Sequence, residues 1–443
     1  MTDPEAIAQR VIELVGDRAE AQAVVVTGES ALTRYANSFI HQNVADTTRG
    51  VKVTISLDGK VAKGTDNRSD DAALTDLVDR TLEAAKLSPV DPEWAGFAPP
   101  AEIPAIDNYD EATAAASPEE RAAQVKDFIT AAEGTDAAGF CDTEAFTTAF
   151  ANSLGQQAVG RQTRATIDGI HRVGTVAGSG HQTAQRLGDL DGAAMGALAA
   201  ERFRLAADPY DIKPGEYEVV LGPECVATIA VFLGVYGFNG KAFNEGQSFL
   251  EIGGQQFDQS INVWDDPFAP GSLGVGFDAD GTPKRRVDLI TDGITRTAVH
   301  DRKTAAKAGV ESTGHGIPGA EAFGAFPANV IVGGGSTPAE EMIASVERGL
   351  YVATFNYCRI LDPKSQVVTG LTRNGTFMIE NGAITGAVTN MRFTQSFVEA
   401  FGDGRVSHLG DDVRFADSEF GPGFVQAPSM HLAAWNFTGG AEG

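Results

Sequence analysis

The chain has 443 residues, 42% of them apolar, and sets 34 Lys and Arg against 60 Asp and Glu for a formal charge of −26. That length predicts two or three domains of roughly 100–200 residues each, and the acidity, with no basic run denser than PKRRVD at 283–288, argues against a nucleic-acid binder. Cys141, Cys225 and Cys358 are dispersed and form no CxxC pair, so neither a disulfide framework nor a thiolate zinc knuckle is expected, and a reducing cytoplasm fits. The N-terminus is acidic and amphipathic, unlike a secretory signal. The longest uncharged apolar stretch, residues 225–240, is shorter than the ~20 residues of a bilayer span, so no membrane segment is expected.

Helical spacing of Ala6, Ile7, Val11, Ile12, Leu14 and Val15, with Asp3 as cap and Pro4 in the first turn, predicts a first helix. Short β-like runs follow to residue 67, and the Asp58-Gly59 pair between two alternating segments predicts a hairpin. Residues 69–88 read as an amphipathic helix capped by Ser69 or Asp70, and proline-rich 89–108 as an irregular crossing loop. Ser117, Pro118 and Glu120 spell a capping box for the next helix. Strand-like segments run from 138 to 178, and RLGDLDGAAMGALAAERFRLAAD is a further helix. A boundary is placed near 209–215, giving domains 1–210 and 211–443. The second half is glycine-rich and β-like, with hairpins predicted at Asp292-Gly293 and Asn381-Gly382 and a helix from Ser336 or Thr337 to Gly349.

Several apparent motifs fail on spacing. GVYGFNGKA imitates a phosphate loop, but Val235 and Ala242 stand where a glycine and a hydroxyl residue are required. GGGST lacks the dinucleotide spacing, and no GxSxG elbow is present. None of the seven histidines lies four or five residues from another, so no local two-histidine zinc pair is encoded. Cys358 could be a nucleophile beside a histidine, but its apolar neighbours favour an inert buried thiol. Asp265, Asp266, Asp278 and Asp280 could hold a hard cation, but they lack a calcium-loop pattern, so turn capping is the expected role.

The segments SFLEIGGQQFDQSINVWDDPFAPGSLGVGFDADGTPKRR (248–286) and TGLTRNGTFMIENGAITGAV (369–388), with DDP, DxDGxP and IENGxI in that order, resemble the TldD/PmbA family, also called modulators of DNA gyrase. SFIHQNVADTTRGVKVTISLDGKVAKGTDN near the N-terminus is similar to that family's first domain. The resemblance implies an α+β fold, with an α/β N-terminal domain and a β-rich, largely antiparallel C-terminal domain enclosing a cavity. It also implies a cytoplasmic zinc peptidase of two related subunits, in which a TldD-type subunit carries the metal on an HExxxH helix. A PmbA-type subunit, also called TldE, lacks that motif and completes a chamber for peptides or unfolded proteins.

Laying the metal motif between the family-like flanks VVLGP (219–223) and NEGQS (244–248) puts Val231 and Tyr236 at the histidine positions, Phe232 at the glutamate and Lys241 where an acid often follows. Residues 225–240 contain no His, Asp or Glu. A zinc peptidase needs imidazoles on the ion and a carboxylate to take the proton of the bound water, so no catalytic residue, metal or cofactor is expected in this chain, and zinc is expected in the partner. Phe232, Tyr236 and Lys241 are the candidates for lining the peptide chamber. The implied partners are a TldD-type subunit in a heterodimer, a second copy in its absence, and a peptide or unfolded protein, with no nucleic acid or membrane. Alternatives are an independent hydrolase using Cys358 or dispersed histidines, and a peptide-binding or modulator protein without hydrolysis.

Overall fold

A helix start is written into the first residues. Asp3 accepts a hydrogen bond from the Glu5 N–H at 3.1 Å, and Pro4 takes the first turn, where its missing N–H has no partner to lose. In the computed structural model, which describes residues 3–320 and 322–440, this helix is α1 (Pro4–Val15). It is followed by β1 (Glu20–Ala36), β2 (Phe39–Leu57), β3 (Lys60–Asp66), α2 (Asp71–Leu87), α3 (Glu111–Ala114), α4 (Pro118–Thr130), β4 (Asp136–Asn152), β5 (Gln157–Val173), β6 (Val176–Ala184) and α5 (Gly192–Leu205). The six strands form one antiparallel sheet in the order β3-β2-β1-β4-β5-β6. Asp58 and Gly59 have φ of 52° and 78°, the left-handed pair that a two-residue hairpin turn requires. Asp70 caps α2 by accepting from the Ala73 N–H, and the capping box at Ser117 and Glu120 is formed. Residues 89–108 form no helix or strand beyond a bridge of Val90 to Lys60.

The two-residue strand period decides what each face of the sheet meets. Ala21, Ala23, Val25 and Tyr35 of β1 share a face with Ala137, Cys141, Ala149 and Ala151 of β4, and that face carries α1 and α2 at one end and α4 and α5 at the other. The opposite face carries Phe150 and Ala158 and packs on Phe277 of the second half. Gln156 Nε2 donates to the Gly281 carbonyl at 3.0 Å and Asn108 Nδ2 to that of Gly274 at 3.1 Å, so the two halves also share polar contacts.

The second half begins with β7 (Gly215–Leu221), α6 (Pro223–Phe232) and α7 (Gly240–Asn244). Then come β8 (Val263–Asp265), β9 (Val287–Thr291), β10 (Ile294–Thr295), α8 (Arg302–Ala308), β11 (Val330–Val332), α9 (Ala339–Ser345), β12 (Arg348–Asp362) and β13 (Val367–Glu380). The last elements are β14 (Ala383–Ala387), β15 (Met391–Ser396), α10 (Phe397–Ala400), β16 (Val406–Leu409), β17 (Arg414–Ser418), β18 (Gly421–Ala427) and β19 (Met430–Gly440). One sheet runs β10-β9-β8-β11-β18-β17. The other runs β12-β7-β19-β15-β13-β14, and because β12 also pairs with β13, five of its strands close into a ring. Among the described strands only β7–β12 and β11–β18 pair in parallel, so the fold is α+β with antiparallel sheets dominant.

Both predicted second-half hairpins form, with φ of 50° and 74° at Asp292-Gly293 and 52° and 78° at Asn381-Gly382. The predicted helix to Gly349 is shorter: α9 starts only at Ala339 and stops at Ser345, because Gly349, Leu350 and Val352 pair with Glu218, Val219 and Leu221 of β7. Among the described residues no helix is long and apolar enough to cross a membrane.

Candidate functional site

β7 runs through Gly222 and Pro223 into α6, and the Gly222 N–H donates to the Val352 carbonyl of β12 at 2.9 Å. α6 packs against β12 of the ring and against β17 and β18 of the other sheet, and all ten of its residues are buried. A helix enclosed on every side has no polar face, which explains why no charged residue follows Glu224 in it. At Leu233–Gly237 the helix widens into one π turn, closed by the Phe238 N–H on the Leu233 carbonyl at 2.8 Å.

Val231 and Phe232 are each 2% exposed. The Phe232 ring lies 5.6 Å from that of Tyr236, 5.8 Å from Phe397 and 5.5 Å from Phe420, an aromatic core contact. Phe232 therefore packs, and it is Tyr236 and Lys241 that reach partly exposed positions. Both meet the same loop: the Tyr236 ring is 5.8 Å from Phe323, and Lys241 Nζ donates to the Ala322 carbonyl at 2.6 Å. Nothing at these four positions fits zinc, since valine and phenylalanine have no donor atom and the lysine adds a positive charge. Burial raises the Tyr236 hydroxyl pKa, holding it protonated.

The other candidates resolve into structural roles. Cys358 is 1% exposed and burial pushes its thiol far above the ordinary range, the opposite of a nucleophile. Asp278 Oδ1 accepts from the N–H groups of Asp280 and Thr282, and its Oδ2 from that of Gly316. Asp265 Oδ2 accepts from the Asn329 N–H at 2.6 Å, and Asp266 Oδ1 from that of Phe268 at 2.9 Å. Asp266 and Asp278 cap their local turns as expected, whereas Asp265 caps none: it ties its strand to a distant loop and lies 3.1 Å from His315 Nε2.

The sequence reading passed over a second place. A cavity of about 850 Å³ opens between the β5–β6 face of the first sheet and the β12, β13 and β17 region, bounded by both halves rather than by the C-terminal half alone. Asp168 and His181 are directly paired across β5 and β6. Ile167 turns to the helices, so Asp168 and His181 turn to the cavity. Asp417 of β17 meets them from the other half, and the three side chains bring their ligand atoms within 4.8 Å of one another. His181 Nδ1 is 3.3 Å from Asp168 Oδ2, and its Nε2 is 3.1 Å from Thr183 Oγ1. Burial works against a charge on His181, but the carboxylates of Asp168, Asp417 and Glu224 outweigh it and raise the imidazole pKa. Burial raises the pKa of Asp417. Glu224, at the start of α6, is buried in the same wall, yet Arg414 at 2.7 Å and nearby Arg202 overcome that burial and hold its pKa at about 2. Counting back equally from the Gly174-Thr175 turn would have paired 168 with 181 from the sequence; no local signal places Asp417 beside them.

The PmbA/TldA metallopeptidase C-terminal domain family matches residues 214–439, half of the chain. The Metalloprotease TldD homolog of Buchnera aphidicola is 25% identical over 233 residues, covering 49% of this chain and 47% of that protein. A metalloprotease of Methanothermobacter thermautotrophicus is 22% identical over 206 residues, covering 45% of this chain and 44% of its own. The chain thus spans about half the length of the curated relatives it matches. The crystal structure of TldE from Thermococcus kodakarensis superposes with a TM-score of 0.88 at 18% identity, over 98% of this chain and 99% of that one, a likeness of fold. With the C-terminal domain matched and the whole fold shared, the chain belongs to the TldD/PmbA family.

Proposed function

We propose that this chain is the PmbA/TldE-type, non-catalytic subunit of a cytoplasmic TldD/TldE-type zinc metallopeptidase that acts on peptides or unfolded proteins. The observation that carries the reading is α6 and its π turn: in a chain of a metallopeptidase family, the stretch matching the metal helix is buried, aromatic and without a ligand. Its part in the complex is to complete the chamber and position the peptide, with Tyr236 and Lys241 as the contacts open to it. Holding a peptide near its reactive geometry can lower a barrier by several kcal/mol, about 7–11 in the best cases.

Co-expression with the TldD-type protein of the same cell, followed by co-purification and a peptidase assay on an unfolded protein, tests this. Cleavage is expected only from the mixture, with chelator sensitivity that follows the partner. Chelator-sensitive cleavage by this chain alone would overturn it.

A further inference from the structure

We propose that Asp168, His181 and Asp417 form a binding site for a divalent transition-metal ion of the zinc type, set between the two halves of the chain. This goes beyond the proposed partner role and does not depend on it. It also revises, at a different place in the fold, the expectation of a chain without metal.

The first argument is the donor set. One imidazole nitrogen and two carboxylate oxygens suit zinc and its neighbours, and they already lie within 4.8 Å of one another. Bonds of about 2.0–2.2 Å to one ion need the donors closer still, so binding would require the two aspartate side chains to turn inward. The second argument is how the ring is held. Thr183 Oγ1, itself 3.2 Å from Thr166 Oγ1, sits 3.1 Å from His181 Nε2, so the ring is fixed with Nδ1 toward Asp168. An outer hydrogen bond of this kind orients a metal-bound histidine.

The third argument is independent of the cluster. Glu224 is 4% exposed and lines the same cavity; its Oε1 takes the Arg414 guanidinium, but its Oε2 has no hydrogen-bond partner. Arg414 and nearby Arg202 already balance its charge, so what the buried Oε2 lacks is a hydrogen-bond donor, and leaving it without one is costly; a water bound to an ion in the cavity would supply it. Two ligands come from rigid paired strands of the first sheet and the third from β17 of the second half, so the ion would tie the halves together. The cavity leaves room for water or a ligand at an open coordination position.

The test uses the full chain, stripped of metal by chelation and titrated with Zn²⁺ by calorimetry, with Co²⁺ as an optical probe. Wild type is expected to take one ion per chain, to show visible Co²⁺ bands, and to gain thermal stability with added Zn²⁺. Asp417→Asn, a partly exposed site, and His181→Gln are each expected to weaken binding by at least about tenfold. His408→Ala, away from the cavity, is expected to bind as wild type does. If His181→Gln fails to fold, Asp417→Asn alone decides. No uptake by wild type at millimolar Zn²⁺, or equal uptake by wild type and Asp417→Asn, would overturn the proposal. Neither result bears on whether the chain needs a TldD-type partner for cleavage, which the peptidase assay reads separately.

Discussion

At the scale of single residues, burial separates the two aromatic side chains that the metal motif overlays. Phe232 touches three other rings and is enclosed, so Phe232→Ala leaves a cavity and is expected to cost about 3–5 kcal/mol in chemical denaturation. Tyr236 is partly exposed, and Tyr236→Ala is expected to leave folding within about 1–2 kcal/mol of wild type while slowing cleavage by the mixed complex. Unaltered cleavage would remove Tyr236 from the chamber. The cysteines give a second check. All three are buried, and burial pushes the Cys141 thiol up to about 12. An alkylating reagent at pH 8 is therefore expected to leave the native chain unlabelled and to modify all three thiols after denaturation; rapid native labelling of Cys358 would restore it as a candidate nucleophile. Composition foretold the inert cysteine and the turn caps of Asp266 and Asp278, because these depend on near neighbours in the sequence, but not the tie of Asp265 to Asn329, which is long-range. It could not foretell the Asp168–His181–Asp417 cluster, whose third member arrives from a strand some 240 residues later.

At the scale of elements, local signals held wherever the interaction is local. Caps at Asp3, Asp70 and Ser117 and the Asp-Gly and Asn-Gly turns all depend on contacts within four residues. The end of α9 was misread because parallel pairing with β7, 130 residues away in sequence, overrides the helical pattern of VERG. α6 shows a comparable long-range tie: Glu224 anchors its first turn to Arg414 of β17. Glu224→Gln would leave that guanidinium and Arg202 without their counter-charge, at an expected cost of about 3 kcal/mol near pH 7. The pKa of Glu224 falls from 4.5 to about 2 on folding. Its contribution is thus full above the unfolded value and lost as pH falls through that window. The stability gap between wild type and Glu224→Gln should accordingly narrow from pH 5 toward pH 2; a gap that does not change with pH would mean that the charge is not what anchors the helix.

At the scale of the whole molecule, ring closure changes the argument for pairing. Open sheet edges in a glycine-rich second half would by themselves favour a dimer, but β12 and β13 satisfy each other within one chain. Open strand edges remain at β10 and β17, the ends of the other second-half sheet, and in the first half, where β2 pairs with β3 only through residues 51–57, leaving 39–50 without an outer neighbour among the described strands. The proposed heterodimer, and a homodimer in its absence, therefore rest on the family reading, with these edges rather than the ring as the surfaces left open to a partner. Light scattering is expected to give a dimer mass with the TldD-type chain at micromolar concentration; a monomer mass both alone and in the mixture would count against it.

The order in which the ring's strands leave the ribosome follows from its topology. β7 is made more than 200 residues before β19, yet β19 is the strand that lies between β7 and β15. The first sheet needs nothing beyond residue 184 and can pair while synthesis continues. The ring must wait until residue 440 is available, so β7 and α6 pass through translation with one flank open. Premature termination between α5 and β19 would release a chain with a finished front half and a gaping back half, a natural client for chaperones and degradation.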